Sequence, residues 1–314
     1  MSEKLSILIA QTNPTVGDIE YNKNIVLETI NKNQDIDLIV FSELMLTGYP
    51  PEDLVLKAAF KRRFMKAINE ITNYSKGKHC SVLIGTPWDE NGNLYNAAIV
   101  LQDGKIVHKH FKTALPNYGV FDEKRIFLNG ESINIFTLKD MKLGIFVCED
   151  IWVSNTISKL NGQAVDLAIS INASPFDVNK IEEREEAVVN FSKKINAPLI
   201  YVNQVGGQDE VVFDGNSFIA DQGGTIKRMD YCKTVFEKIE FDLINQKFLF
   251  EEVSNISVDK DDLIYSNLIL GLRDYVRKNK FPGVVLGISG GIDSAFSACV
   301  ATDALGSEQV KGIL

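Results

Sequence analysis

Apolar runs of strand length alternate along the chain with stretches where apolar positions recur every three or four residues. Leu5–Ala10, Ile36–Phe41, His79–Gly85, Val165–Ile171 and Leu199–Asn203 read as buried strands. Helices are predicted over Tyr21–Asn33 (Ile25, Ile30), Asp53–Tyr74 (Leu54, Ala58, Phe64, Ile68, Ile71) and Asn179–Asn196 (Ile181, Val188, Phe191, Ile195). Asn96–Leu101 and Lys105–Phe111 flank Gln-Asp-Gly, a good hairpin turn, and Ile133–Leu138 pairs with Lys142–Val147 around Lys139 and Asp140. Two shorter strands lie near Val211 and Phe218. The alternation predicts an α/β or α+β class with two packed sheets. Glu237–Lys260 reads as an irregular, charged connector. Asp261–Asn279 then reads as a helix (Leu263, Ile264, Leu268, Leu272, Val276), so a second unit begins near residue 255.

Composition narrows the class. The 314 residues exceed one average domain, and 45% hydrophobic with 24% charged residues is ordinary for a globular chain. A net charge of −9 and a pI near 5.0 argue against nucleic acid or an anionic membrane as partner. Cys80, Cys148, Cys232 and Cys299 are scattered without metal-ribbon spacing, which fits a reducing cytoplasm. The opening apolar run is too short for a signal peptide or a span.

Chemistry enters at three strand ends. Leu143–Val147 runs into Cys148, Glu149 and Asp150; Ile36–Phe41 leads to Glu43; Lys105–Phe111 leads to Lys112. A free cysteine among apolar residues is ordinarily inert. A thiol, a carboxylate and an ammonium at three strand ends form instead a possible catalytic set: nucleophile, base and oxyanion donor. The chain here resembles the nitrilase (carbon–nitrogen hydrolase) superfamily, whose signature is Glu-Lys-Cys in this order, over roughly residues 1–250. The resemblance implies an α-β-β-α sandwich that self-associates through its helical layer. Lys112 and the strand end are expected to help make a thiolate from a thiol of ordinary pKa about 8.5. His108, His110 and Lys112 share a strand face, but two histidines lack a third ligand, so no metal is assigned here.

Gly283–Ser294 reads as a strand, a glycine-rich turn and a helix start, with Ala295–Leu305 as the helix. Its glycines let backbone N–H groups converge on an anion, and the Walker lysine is missing. Gly287, Ile288, Ser289, Gly290, Gly291, Ile292, Asp293 and Ser294 resemble the pyrophosphate loop of the ATP pyrophosphatases. That implies the first β-α unit of an adenine-nucleotide alpha hydrolase-like parallel-sheet domain over 251–314, most of which would lie beyond Leu314.

A nitrilase-type amidase joined to such a loop resembles the glutamine-dependent NAD⁺ synthetases. The resemblance implies glutamine, ATP with Mg²⁺, and nicotinic acid adenine dinucleotide as partners, a homo-oligomer, and a cytoplasmic location. The glutaminase step would need no cofactor. Tyr118 would line the glutamine site and Glu123 would support Lys112. Ser174 and Lys180 would hold the α-substituents of glutamine, with Arg184 the alternative to Lys180, since lysine lacks a bidentate grip. Two other readings remain: a stand-alone amidase on another small amide, and a non-catalytic scaffold.

Overall fold

The period-two alternation of the strands sorts their side chains between two cores. On β1 (Lys4–Gln11) and β2 (Leu38–Phe41), Leu5, Ile7, Ile9, Leu38 and Val40 face one way. Leu8, Ala10, Ile39 and Phe41 face the other. Both faces are covered, which is why these strands read as continuous apolar runs. The computed structural model describes residues 4–250 and 259–314.

In chain order the elements are β1, α1 (Ile19–Lys32), β2, α2 (Ala58–Tyr74), β3 (Ser81–Glu90), β4 (Asn93–Gln102) and β5 (Lys105–Phe111). Then follow β6 (Ile135–Leu138), β7 (Met141–Val147), α3 (Asn155–Lys159), β8 (Leu167–Asn172), α4 (Lys180–Ile195), β9 (Leu199–Asn203), β10 (Val205–Gln208) and β11 (Val211–Asp214). After them come β12 (Phe218–Asp221), β13 (Gly224–Arg228), β14 (Val235–Asp242), β15 (Lys247–Leu249), α5 (Lys260–Lys278), β16 (Val284–Gly287), α6 (Ile292–Leu305) and β17 (Val310–Ile313).

One sheet has the order β15-β14-β1-β2-β3-β4-β5 and a second the order β13-β12-β9-β8-β7-β6. Leu143, Ile145, Ile169, Ile200 and Val202 of the second sheet meet Ile7, Val40 and Val100 of the first. Phe64 and Ile68 of α2 cover the outer face of the first sheet; Val188 and Phe191 of α4 cover that of the second. This is the expected α-β-β-α sandwich. Both predicted hairpin turns form with left-handed residues, Asp103–Gly104 and Lys139–Asp140.

Two local readings are corrected. The predicted helix Asp53–Tyr74 is a short 3₁₀ turn, Glu52–Leu56, and then α2, because Lys57 is extended; Ala58 lies exposed. The predicted connector Glu237–Lys260 holds most of β14 and all of β15, with β14 antiparallel to β1 and placing Ile239 and Phe241 in the inter-sheet core. The expected start of a second unit near residue 255 lies outside the described residues.

β16 and β17 pair in parallel around α6, which packs on α5 through Val276, Ala304 and Leu305. Helix α5 in turn sits on the β10–β11 hairpin. A Cβ on Gly207 would stand 2.9 Å from the Gly271 Cα, so the two backbones meet with no side chain between them. Asp274 accepts from Asn13 Nδ2 at 2.6 Å and from the Gly207 N–H at 2.8 Å.

Candidate active site

Glu43 follows β2 in a tight turn laid directly over Gly85. A Cβ at Gly85 would lie 2.4 Å from the Leu44 nitrogen, so only glycine allows this approach. The Glu43 carboxylate is fully buried, and its Oε1 accepts from Lys112 Nζ and Asn96 Nδ2, each at 2.7 Å. Its Oε2 accepts from the Ala173 N–H at 2.9 Å. Three donors thus aim the base.

Lys112 leaves the end of β5 with its side chain 1% exposed. Besides Glu43 it donates to Glu123 Oε1 at 2.8 Å. Glu123 also accepts from Tyr49 Oη at 2.8 Å and from Asn96 Nδ2 at 3.3 Å. Burial alone would lower the Lys112 pKa, but the charges of Glu123 and Glu43 outweigh it and hold the ammonium charged. Burial pushes the Glu123 carboxyl up, with Lys112 pulling it back. Two of the three ammonium protons are occupied, which leaves one for a substrate oxygen.

Cys148 begins a 3₁₀ turn, Cys148–Ile151, at the end of β7, in the left-handed region with φ 43°. Burial pushes its thiol well above the ordinary range, the Glu43 charge adds to this, and Lys112 opposes it. Lys112 thus favours the thiolate as expected, but burial and the Glu43 charge outweigh it. A carboxylate acceptor and a low-dielectric site favour the neutral thiol until its proton can leave to a base.

The remaining predicted residues divide. Tyr118 is 56% exposed and donates to Glu149 Oε2 at 2.9 Å, beside the nucleophile. Ser174 is buried in the segment whose neighbour Ala173 holds Glu43. Lys180 heads α4, pairs with Glu183 at 3.0 Å and stands 4.5 Å above the Trp152 ring. Arg184 is ruled out as a carboxylate clamp because every N–H is used. Nε donates to Ser174 Oγ, Nη1 to both Asp214 oxygens, and Nη2 to the Ser174 and Pro175 carbonyls. His108 and His110 share a face but not a function. Burial takes His108 down to about 4, so it is neutral against Phe136, while His110 Nε2 bonds Asp150.

Residues that sequence reasoning left without a role are Asn96, Tyr49, Asp150 and His110. Asn96 and Tyr49 gave no signal, since their partners are distant in the chain. Asp150 and His110 stood next to the motifs and could have been found there.

The carbon-nitrogen hydrolase family matches residues 7–229, most of the chain. The chain belongs to that family. Within this carbon-nitrogen hydrolase, a second family, NAD synthase, matches residues 264–314. The glutamine-dependent NAD(+) synthetase of Acinetobacter baylyi is 37% identical over 99% of this chain and 58% of its own length. That of Thermotoga maritima is 37% identical over 99% of this chain and 60% of its own. The chain thus spans about 58–60% of the relatives it matches. Among solved structures, the glutamine-dependent NAD+ synthetase from Acinetobacter baumannii, in complex with ADP, superposes with a TM-score of 0.92 at 38% identity, over 98% of this chain and 59% of that one. A carbon-nitrogen hydrolase from Helicobacter pylori shares the fold, with a TM-score of 0.64 at 20% identity over 78% of this chain and 91% of that one.

Beyond the hydrolase body, Ser289–Ser294 forms an exposed turn at the start of α6. Gly290 has φ 80°, Gly291 caps the helix with its backbone alone, and Ser294 Oγ donates to the Gly291 carbonyl at 3.0 Å. A Cβ at Gly287 or Gly290 would meet nothing within 4 Å, so the turn opens to solvent.

Proposed function

We propose that the chain hydrolyses the side-chain amide of glutamine, and that the ammonia serves ATP-dependent amidation of nicotinic acid adenine dinucleotide to NAD⁺ in a longer protein. The observation that carries the first half is the buried Glu43–Lys112–Glu123 cluster acting on a thiol held at a left-handed strand end. The second half is supported by similarity to NAD(+) synthetases along the whole chain.

The chemistry follows from the groups present. Glu43 takes the Cys148 proton as sulfur attacks the amide carbon, and the free Lys112 proton meets the developing oxyanion. The proton passes to the leaving amine, ammonia departs, and a γ-glutamyl thioester remains. Glu43 then activates water, which releases glutamate and returns the proton to sulfur. Glu123 keeps Lys112 charged and aimed. Tyr118, Ser174 and Lys180 are proposed to hold glutamine, with Lys180 steadied by Trp152.

The turn from Gly287 to Ser294 is proposed to take the phosphates of ATP. Its fit rests on the helix N-terminus and on the open space at Gly290. Asp293 and the serine hydroxyls offer oxygen ligands of the kind Mg²⁺ takes alongside phosphate. Self-association through the helical layers belongs to the same reading and is tested by sedimentation. Among the described residues no helix is long and apolar enough to cross a membrane, which is compatible with the proposed cytoplasmic location.

The test is a paired assay with glutamine, ATP, magnesium and nicotinic acid adenine dinucleotide, following glutamate and NAD⁺ separately. Glutamate release that a diazo-ketone analogue of glutamine blocks, with the label on Cys148, is expected. Release of ammonia from other small amides but not from glutamine would favour the stand-alone amidase.

A further inference from the structure

Asp150 lies two residues after the nucleophile and His110 two residues before Lys112; neither enters the chemistry above. Both side chains are fully buried. Asp150 Oδ1 accepts from the Thr113 N–H at 2.8 Å, the Thr113 hydroxyl at 2.8 Å and the Ala114 N–H at 3.0 Å. Its Oδ2 accepts from the Val147 N–H at 3.0 Å and from His110 Nε2 at 2.8 Å. Every donor belongs either to the segment around Lys112 or to the residue preceding Cys148. The two strand ends are separate in sequence, and this carboxylate joins them.

The pattern also fixes the histidine. His110 Nδ1 is buried without a partner, so a proton there would be an unsatisfied donor. The proton therefore sits on Nε2 and is donated to Asp150. Burial would raise the Asp150 pKa, but the bonds from His110, Val147 and Thr113 outweigh it and hold the group anionic. The left-handed conformation of Cys148 needs such a restraint, because nothing intrinsic to a cysteine favours it.

We infer that Asp150, oriented by His110, is a positioning residue that sets the Cys148 thiol against the Lys112 ammonium by pinning both strand ends to one buried carboxylate. The inference rests on Cys148 as the nucleophile. Asp150 touches no substrate, so its removal acts on turnover and not on glutamine binding. Asp150→Asn keeps the shape but must turn an NH₂ toward either the Thr113–Ala114 donors or the Val147 N–H.

The experiment compares wild type, Asp150→Asn and Thr113→Val in the full chain. It reads kcat and KM for glutamine, and the rate of Cys148 alkylation by iodoacetamide, followed on the Cys148 peptide by mass spectrometry. In Asp150→Asn with a cooperative melt, kcat falls about 100-fold, as for a small misplacement of reacting groups. KM stays within about twofold and alkylation slows in step with kcat. A kcat within threefold of wild type, a loss confined to KM, or an unchanged alkylation rate overturns the inference. Should Asp150→Asn fail to melt cooperatively, Thr113→Val decides, because it removes one of the donors and leaves the backbone ones. A kcat lower by about fivefold at constant KM, the effect of one hydrogen bond, supports the inference. An unchanged kcat overturns it. If wild type releases no ammonia from glutamine, the proposed substrate fails, while the alkylation rates still test the positioning.

Discussion

At Cys148 the chain holds a non-glycine residue at φ 43°, a conformation that costs about 1–2 kcal/mol. It places the thiol just past β7, where the charges of Glu43 and Lys112 act on it. Cys148→Ala should leave the melt cooperative and remove glutamate release altogether, since no other thiol stands in this cluster; more than a trace of turnover would reassign the nucleophile. Lys112→Ala and Glu43→Ala should each lower kcat by about two orders of magnitude or more, the usual effect of losing an oxyanion donor or a base. Lys112→Ala has a second consequence. It leaves Glu43 and Glu123 buried with no cation between them, so a lowered melting temperature should accompany the lost rate. Near-normal kcat/KM in either variant would mark that residue as structural.

At the scale of elements, Asp37 does at the far end of β2 what the triad does at the near end: it joins the two sheets. Oδ1 meets Lys139 Nζ at 2.6 Å and His79 Nε2 at 2.8 Å, and Oδ2 accepts from the Ser6 N–H and hydroxyl at 2.8 and 2.9 Å. Burial would raise its pKa; the bonds from Lys139, Ser6 and His79 outweigh that and hold it below the ordinary 3.8. Folded, it therefore binds fewer protons than unfolded as pH falls toward its folded pKa. Its stabilisation is complete above about pH 4 and is lost as pH falls through the folded value. Asp37→Asn should melt earlier than wild type at pH 7, with the gap closing below about pH 4. A gap that stays constant from neutral to acid would assign the effect to packing alone.

Which elements were legible follows from how each side chain is used. Glu43, Lys112 and Cys148 could be read because each ends an apolar run, and the buried strands could be read because both faces are covered. β14 was misread because Lys238, Glu240 and Asp242 alternate with Ile239 and Phe241 on a strand with one open face, and Glu237 adds a further charge. The break at Lys57 is a backbone choice that no apolar spacing reports. Arg184 stood as the alternative to Lys180 for another reason. A guanidinium near a substrate loop looks free in sequence, and only the fold supplies Asp214 and the carbonyls that consume it. The Asn96 link to Glu43 and Glu123 is likewise a product of the sandwich.

At the scale of the molecule, the match to two families suggests a chain divisible between residues 229 and 264. The back-to-back contact of Gly207 and Gly271 argues otherwise for anyone wishing to cut it. A fragment ending at residue 250 would leave the β10–β11 hairpin bare, with Asn13 and the Gly207 N–H deprived of Asp274. It would also lose Lys278, which donates to the Pro14 and Gly207 carbonyls at 2.9 Å. A fragment ending at residue 280 keeps all of these. Expressed side by side, the longer fragment should be the more soluble and should melt higher, and equal behaviour of the two would show that the helix is dispensable. The practical scissors line thus falls after Lys278, well inside the stretch that similarity alone would hand to the other half.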